Sequence, residues 1–168
     1  NLRPAQQLNL MAEWQYIISA ELNPALLKSV GPLIPGALRH PEQRGGHRDV
    51  AGNFLIDTGA FGSMIDLEVA GSLDLPKTGT REIHGIHGYG TLQQYQAQLV
   101  LAARDPTGEI CRYSTIMDCL GIPSLLAKNQ EHDVTVIGIL GRMFLQFVKL
   151  EIDGIVGKLT RRIDDSAE

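Results

Sequence analysis

The residues best suited to chemistry lie in the run Phe54-Leu55-Ile56-Asp57-Thr58-Gly59-Ala60. A carboxylate follows directly on a short apolar stretch and precedes a small hydroxyl residue and a glycine. A charge in that place costs stability unless its oxygens are hydrogen-bonded or its charge is shared. Glycine permits a sharp turn that brings backbone N–H groups close to the carboxylate. A buried strand ending on such a group is therefore a candidate for carboxylate chemistry. From these residues alone, a plain Asp-Thr-Gly turn that ends a strand is the competing reading.

Two later segments bear on the choice. Ile83-His84-Gly85-Ile86-His87-Gly88-Tyr89-Gly90 is glycine-dense with one apolar residue at its centre, and reads as a hairpin tip. Val136-Ile137-Gly138-Ile139-Leu140-Gly141-Arg142 places two bulky apolar residues before a Gly-Arg pair.

In this order the three segments resemble the retropepsin family, single-lobe aspartic proteases of retroviruses and their cellular and bacterial relatives. Leu55 to Ala60 is similar to the active-site loop of that family. Ile83 to Tyr89, followed by Gln93-Gln94-Tyr95-Gln96 and an apolar run, is similar to the flap and its return strand. Ile139, Leu140, Gly141 and Arg142, followed by Met143-Phe144-Leu145, are similar to the apolar-apolar-Gly motif and the short helix after it. The resemblance spans roughly Leu26 to Leu159.

The resemblance implies a reaction and an assembly. Two carboxylates share one proton. One acts as base on a water molecule, and the other supplies a proton as the water attacks a peptide carbonyl. The chain holds one Asp-Thr-Gly and no Asp-Ser-Gly, and Asp153-Gly154 lacks the hydroxyl residue. The second carboxylate is then the Asp57 of another copy, on the two-fold axis of a homodimer. The resemblance gives Asp57 the catalytic role, with Thr58, Gly59 and Ala60 as its supporting loop. Gly85, Ile86, His87, Gly88 and Tyr89 form the flap over an extended peptide substrate. Ile139, Leu140, Gly141 and Arg142 support the core and the dimer. For Ile86 and Tyr89, hairpin packing is the competing reading.

Two features depart from the family. Retroviral members carry an acidic residue directly after the Asp-Thr-Gly-Ala stretch, paired with the arginine of the Gly-Arg motif. Phe61 stands there instead, so Arg142 lacks that partner. The loop Arg39 to Arg48 is also longer than the minimal retroviral fold needs, which fits the cellular and bacterial branches better.

The elements that would position these residues read as mainly β, because alternation is common and helical periodicity scarce. Trp14 to Leu22 alternates as a strand, broken at Asn23-Pro24. Leu26 to Leu38 is apolar, but its prolines predict a bent or edge strand. Asp66 is placed to cap a short helix through Leu73. Leu92 to Ala103 and Glu109 to Asp118 read as a hairpin joined at Arg104 to Gly108. Val134 to Leu140 reads as a buried run, and Gly141 to Gln146 as one or two helical turns. Asp153-Gly154 signals a two-residue hairpin. The expected fold is a closed, mainly antiparallel β-barrel of the retropepsin type with one or two short helices. Residues 1–25 are an extension of unknown role, 26–160 the protease domain, and 161–168 a polar tail.

Composition narrows the alternatives. The chain has 168 residues, 43% hydrophobic and 20% charged, with a net charge of −4. That balance suits one globular domain and excludes a disordered or coiled-coil chain. An acidic excess argues against a nucleic-acid partner, whose phosphates need Lys and Arg. No apolar stretch is long enough for a membrane helix. Cys111 and Cys119 are too few for a disulfide scaffold and are expected as reduced thiols. With no signal peptide visible, they favour the cytoplasm, although a chain starting at Asn1 reads as processed or excised. No cofactor is expected. His84 and His87 raise a zinc site as an alternative, but zinc needs three or four ligands, and His40, His47 and His132 are scattered. A catalytically idle module of the same shape, binding peptides or dimerising, is the rival to an enzyme.

Overall fold

The computed structural model describes residues 16–21, 24–42, 48–85, 88–105, 107–125, 134–146, 148–153 and 158–163. In chain order the elements are β1 (Tyr16–Glu21), α1 (Pro24–Ser29), β2 (Leu33–Arg39), β3 (Val50–Ile56), β4 (Ser63–Asp66) and α2 (Leu67–Ser72). There follow β5 (Lys77–Gly85), β6 (Gly88–Arg104), β7 (Ile110–Ile122), β8 (Val136–Leu140), α3 (Arg142–Leu145), β9 (Val148–Asp153) and β10 (Lys158–Ile163).

Six strands pair in the order β2-β3-β8-β4-β7-β6, and β6 returns to β2 through Gly36–Arg39, closing a barrel. The mainly β barrel expected from the sequence is therefore present. Its pairings are mostly antiparallel, but β3 lies parallel to β8 and β4 parallel to β7. Parallel neighbours need a long connection between them, and both pairs have one. The pairing Ile56↔Leu140 brings the ends of β3 and β8 out side by side. The residues that follow, Asp57 and Gly141, thus meet at one end of the barrel.

The core is the inward face of these strands. Ile34 and Leu38 of β2, Phe54 and Ile56 of β3, Ile65 of β4, Leu99 and Leu101 of β6, and Ile137 and Leu140 of β8 are all buried. Phe54 is the largest of them. It sits between Gly36 on one neighbouring strand and Gly138 on the other. A methyl group at Gly138 would lie 2.8 Å from its ring, and one at Gly36 2.9 Å. The glycines make room for the ring, and the ring fixes the strand that carries Asp57.

The helices number three among the described residues, against the expected one or two. The extra one is α1. Pro24 does follow the end of β1, but proline also suits the first turn of a helix, where its missing N–H has no partner to lose. Helix α2 starts where expected: the Asp66 carboxylate accepts from the Glu68 N–H at 2.7 Å. Helix α3 falls within the turns expected at Gly141 to Gln146.

Three local expectations change. Strand β2 is not an edge, since it pairs with both β3 and β6. Pro35 is tolerated because it lies one residue outside the segment paired with β6, so its missing N–H breaks no ladder. In the hairpin of β9 and β10 Asp153 pairs with Lys158, so Asp153 belongs to the strand and not to the expected turn, while Gly154 and the rest of the connection lie outside the described residues. Strand β10 also runs on to Ile163, into the segment expected as tail, and pairs along its length with β1. The hairpin of β6 and β7 agrees with the sequence. Asp105 closes it, accepting from the N–H groups of Thr107 at 2.9 Å and Glu109 at 3.0 Å.

Cys111 and Cys119 are free and share strand β7. Eight positions along one strand separate them by about 26 Å, beyond disulfide reach. Burial, with a smaller push from the neighbouring Asp118, raises the Cys119 thiol to about 12. It is a packing group, not a nucleophile. Among the described residues no helix is long and apolar enough to cross a membrane.

Gly138→Ala should destabilise the protein by about 1–3 kcal/mol through overpacking against Phe54. Phe54→Leu should cost stability alone, yet the double variant should lose clearly less than the two losses added. Urea denaturation of the four proteins measures this, and strict additivity would contradict the packing of Phe54 between the glycines.

Candidate active site

Asp57 leaves the end of β3, and its backbone N–H donates to the Leu140 carbonyl at 3.1 Å. The chain then turns back on the side chain. Asp57 Oδ1 accepts from the Gly59 N–H at 2.8 Å and the Ala60 N–H at 3.2 Å. Ala60 N–H also reaches the Asp57 carbonyl at 3.2 Å. Two donors fix the carboxylate plane, which is what a reacting carboxylate needs. Among the described residues Oδ2 has no donor, and the Thr58 hydroxyl has no partner. Asp57 is half-buried, and Thr58 and Gly59 are exposed. The loop offers one carboxylate oxygen and one hydroxyl outward.

The Gly-Arg segment supports this loop from beside it. Arg142 N–H donates to the Ala60 carbonyl at 2.9 Å, and Met143 N–H to the Phe61 carbonyl at 3.0 Å. These are first-turn N–H groups of α3, which have no acceptor within the helix. Gly141, the residue before α3, offers no side-chain cap. The 57–61 loop supplies the acceptors instead. Gly141 itself lies against the loop backbone, where a methyl group would run into the Gly62 carbonyl and come within 2.9 Å of the Ala60 oxygen. The buried Ser63 hydroxyl accepts from the Gly141 N–H at 3.4 Å.

The structure therefore brings together Asp57, Thr58, Gly59 and Ala60 with Ile139, Leu140, Gly141 and Arg142. In Arg142 it is the backbone that serves the loop, while the side chain is exposed. Strands β5 and β6 form the expected hairpin arm, with Gly85 paired to Gly88. Ile86 and His87, and the side chains of His84 and Tyr89, lie outside the described residues. Residues 77–82 of the arm are exposed. Its base bends at an irregularity between Lys77 and Gly79, where Gly79 takes φ +146°.

Three residues lie at the site that the motifs do not single out for a role. The Arg81 guanidinium lies over the Phe61 ring, 4.6 Å from its centroid. This joins the arm to the residue just beyond the loop. Phe61 stands out in the sequence only as a departure, and Arg81 carries no local signal. Ser63 is likewise silent.

No family model and no curated protein matches the chain. Solved structures similar to it include the following two. One is a retropepsin-like aspartic protease from Rickettsia conorii, with TM-score 0.44 and 16% identity over 91% of this chain and 98% of that one. The other is the EIAV protease complexed with the inhibitor HBY-793, with TM-score 0.38 and 21% identity over 68% of this chain and 85% of that one.

Gly141→Ala should displace the 57–63 loop, because the atoms it meets are backbone. Stability should fall by about 1–3 kcal/mol. Any hydrolytic activity should fall by a larger factor than the folded fraction does, read by turnover against near-ultraviolet circular dichroism on the same sample. Activity that tracks the folded fraction would show that the contact only holds the barrel together.

Proposed function

We propose that the chain is one half of a homodimeric aspartic endopeptidase. The observation that carries the reading is the Asp57 carboxylate, held through Oδ1 by two backbone donors, with Oδ2 and the Thr58 hydroxyl facing no partner among the described residues. The motif resemblance supports it. So does the hairpin arm, whose Arg81 reaches the end of the loop.

A single carboxylate is insufficient for this chemistry, and the sequence holds one Asp-Thr-Gly. Two copies related by a two-fold axis would bring two Asp57 side chains together, with one proton between them, since like charges that close do not both ionise. The ionised carboxylate takes a proton from water as the oxygen attacks the peptide carbonyl carbon. The protonated partner gives its proton to the carbonyl oxygen. The resulting diol collapses as the amide nitrogen is protonated and the C–N bond breaks. Thr58 would tie the two loops together through its hydroxyl, and Gly59 would present backbone to carboxylates and substrate. The substrate would lie extended beneath the arm, held by main-chain hydrogen bonds and by pockets for alternate side chains. Gly85, Ile86, His87, Gly88 and Tyr89 would close over it. The reaction needs no cofactor.

Asp57→Asn keeps the shape of the side chain and removes its base and acid functions. Hydrolysis of a peptide library should fall at least about a thousandfold, the scale of losing acid–base catalysis, with unchanged circular dichroism. Mixed dimers of one unsubstituted chain and one Asp57→Asn chain should be inactive as well. Specific activity should fall on dilution through the dimer dissociation constant. Near-normal turnover by the variant, or full activity of a monomer shown by light scattering, would overturn the reading.

A further inference from the structure

The contact between Arg81 and Phe61 has a direction. Phe61 is four residues beyond Asp57 on the same loop, and 49% of its surface is exposed. Arg81 comes from β5 of the hairpin arm. On its strand it shares a face with Gly79 and Ile83. Opposite these three on β6 lie Leu92, Gln94 and Gly90, facing Arg81, Gly79 and Ile83 in turn. Residues directly opposite in an antiparallel pair share a face. The face that reaches the loop thus carries glycine, aliphatic residues and one amide, with a single charge, the Arg81 guanidinium.

That guanidinium makes no ion pair among the described residues. Among the described residues the one ion pair is Arg39 with Asp49 at 2.7 Å, and no carboxylate pairs with Arg81. Its neighbour Glu82 projects to the other side of the strand, since successive side chains alternate. A cation over an aromatic face makes no hydrogen bond to it, and none of the five N–H donors of Arg81 has an acceptor among the described residues. The ring therefore holds the cation without occupying the donors. A group that matches an in-plane pair of N–H donors is a carboxylate.

Distance decides where such a carboxylate would come from. Four residues of chain reach at most about 14 Å, so Phe61 lies within that distance of Asp57. An extended substrate covers the same span in about four residues.

We propose that Arg81, held over the Phe61 ring, is a specificity-determining residue that selects an acidic side chain in the peptide substrate, within about four residues of the bond cleaved. The proposal rests on the endopeptidase reading for the meaning of that bond, and on geometry alone for the carboxylate preference. The ring orients the guanidinium before substrate arrives, so little side-chain freedom is lost on binding.

The test uses the full chain carrying Asp57→Asn, which would bind peptides without cutting them. The probes are fluorescein-labelled decapeptides of neutral residues, in pairs that place Glu or Gln at one position in turn. Binding is read by fluorescence anisotropy in about 50 mM salt, low enough to leave surface charge weakly screened. At one or more positions Glu should bind about tenfold more tightly than Gln, the scale of a charge-assisted hydrogen bond partly exposed to water. Adding Arg81→Ala should bring the ratio to about one, and adding Arg81→Glu should make Lys preferred over Glu at the same position. Phe61→Leu should reduce the ratio while keeping its sign. Equal binding of Glu and Gln peptides at every position, or a ratio that survives Arg81→Ala, would overturn the proposal. So would an equal loss for both members of each pair in Arg81→Ala, which would make Arg81 a brace for the arm. Turnover by the unsubstituted chain separates this from the function itself. Cleavage without a Glu preference removes the subsite alone. Preferential binding without cleavage by the unsubstituted chain removes the protease alone.

Discussion

The parallel pairing of β3 with β8 is the constraint on which the rest depends. An antiparallel pair would send the ends of these strands in opposite directions. The parallel register Ile56↔Leu140 sends both out at the same end of the barrel. The active-site loop and the Gly141 turn then have no choice but to lie against each other. Two backbone hydrogen bonds convert that proximity into a fixed geometry: Asp57 N–H to Leu140, and Arg142 N–H to Ala60. Gly141 is required because the two backbones approach too closely for any Cβ.

Rigidity at the loop is thereby separated from reach in the arm. Strand β3 is held by Phe54 between two glycines, and the loop by the N-terminal donors of α3. Everything near Asp57 is over-determined. The arm is the opposite case: residues 77–82 are exposed and its base carries an irregularity. Exposed strands with little buried apolar area sit at the low end of local stability. The described residues thus pair a firmly held carboxylate with an exposed, weakly anchored arm.

Much of this is legible in the sequence where the signal is local. The carboxylate after an apolar run, the Asp66 cap, the Gly-Arg turn and the turn-rich link at Asp105 each act through neighbours in the chain. What escapes is non-local or two-sided. Nothing near Ile56 says that Leu140 will run alongside it, so the parallel pairs leave no local trace. Proline carries one signal for two outcomes, and at Pro24 it begins a helix instead of only ending a strand. At Pro35 the position of the neighbouring ladder, not the residue, decides whether a missing N–H matters. Asp153-Gly154 favours a tight turn on those two residues, but the register of β9 on β10, with β10 also paired to β1, takes Asp153 into the strand. Phe61 is visible only as a missing acid, and its partner Arg81 not at all, because a stacking contact between distant strands leaves no pattern in either.

The exchange of an acid for Phe61 also changes what the neighbourhood of the loop can recognise. A carboxylate at that place would pair with a nearby arginine and neutralise it. An aromatic ring holds an arginine by its face and leaves the charge in place. The same position thus moves from satisfying a cation within the chain to displaying one outward. Arg142, without the acid, keeps its structural role through its backbone N–H and has an exposed side chain. Arg81, with the ring, gains an orientation it would not have on an exposed strand. The ring at this one position bears on both arginines: it offers Arg142 no acid to pair with, and it holds Arg81 over its face. Phe61 therefore bears on what the exposed charge of Arg81 can meet more than on the integrity of the fold.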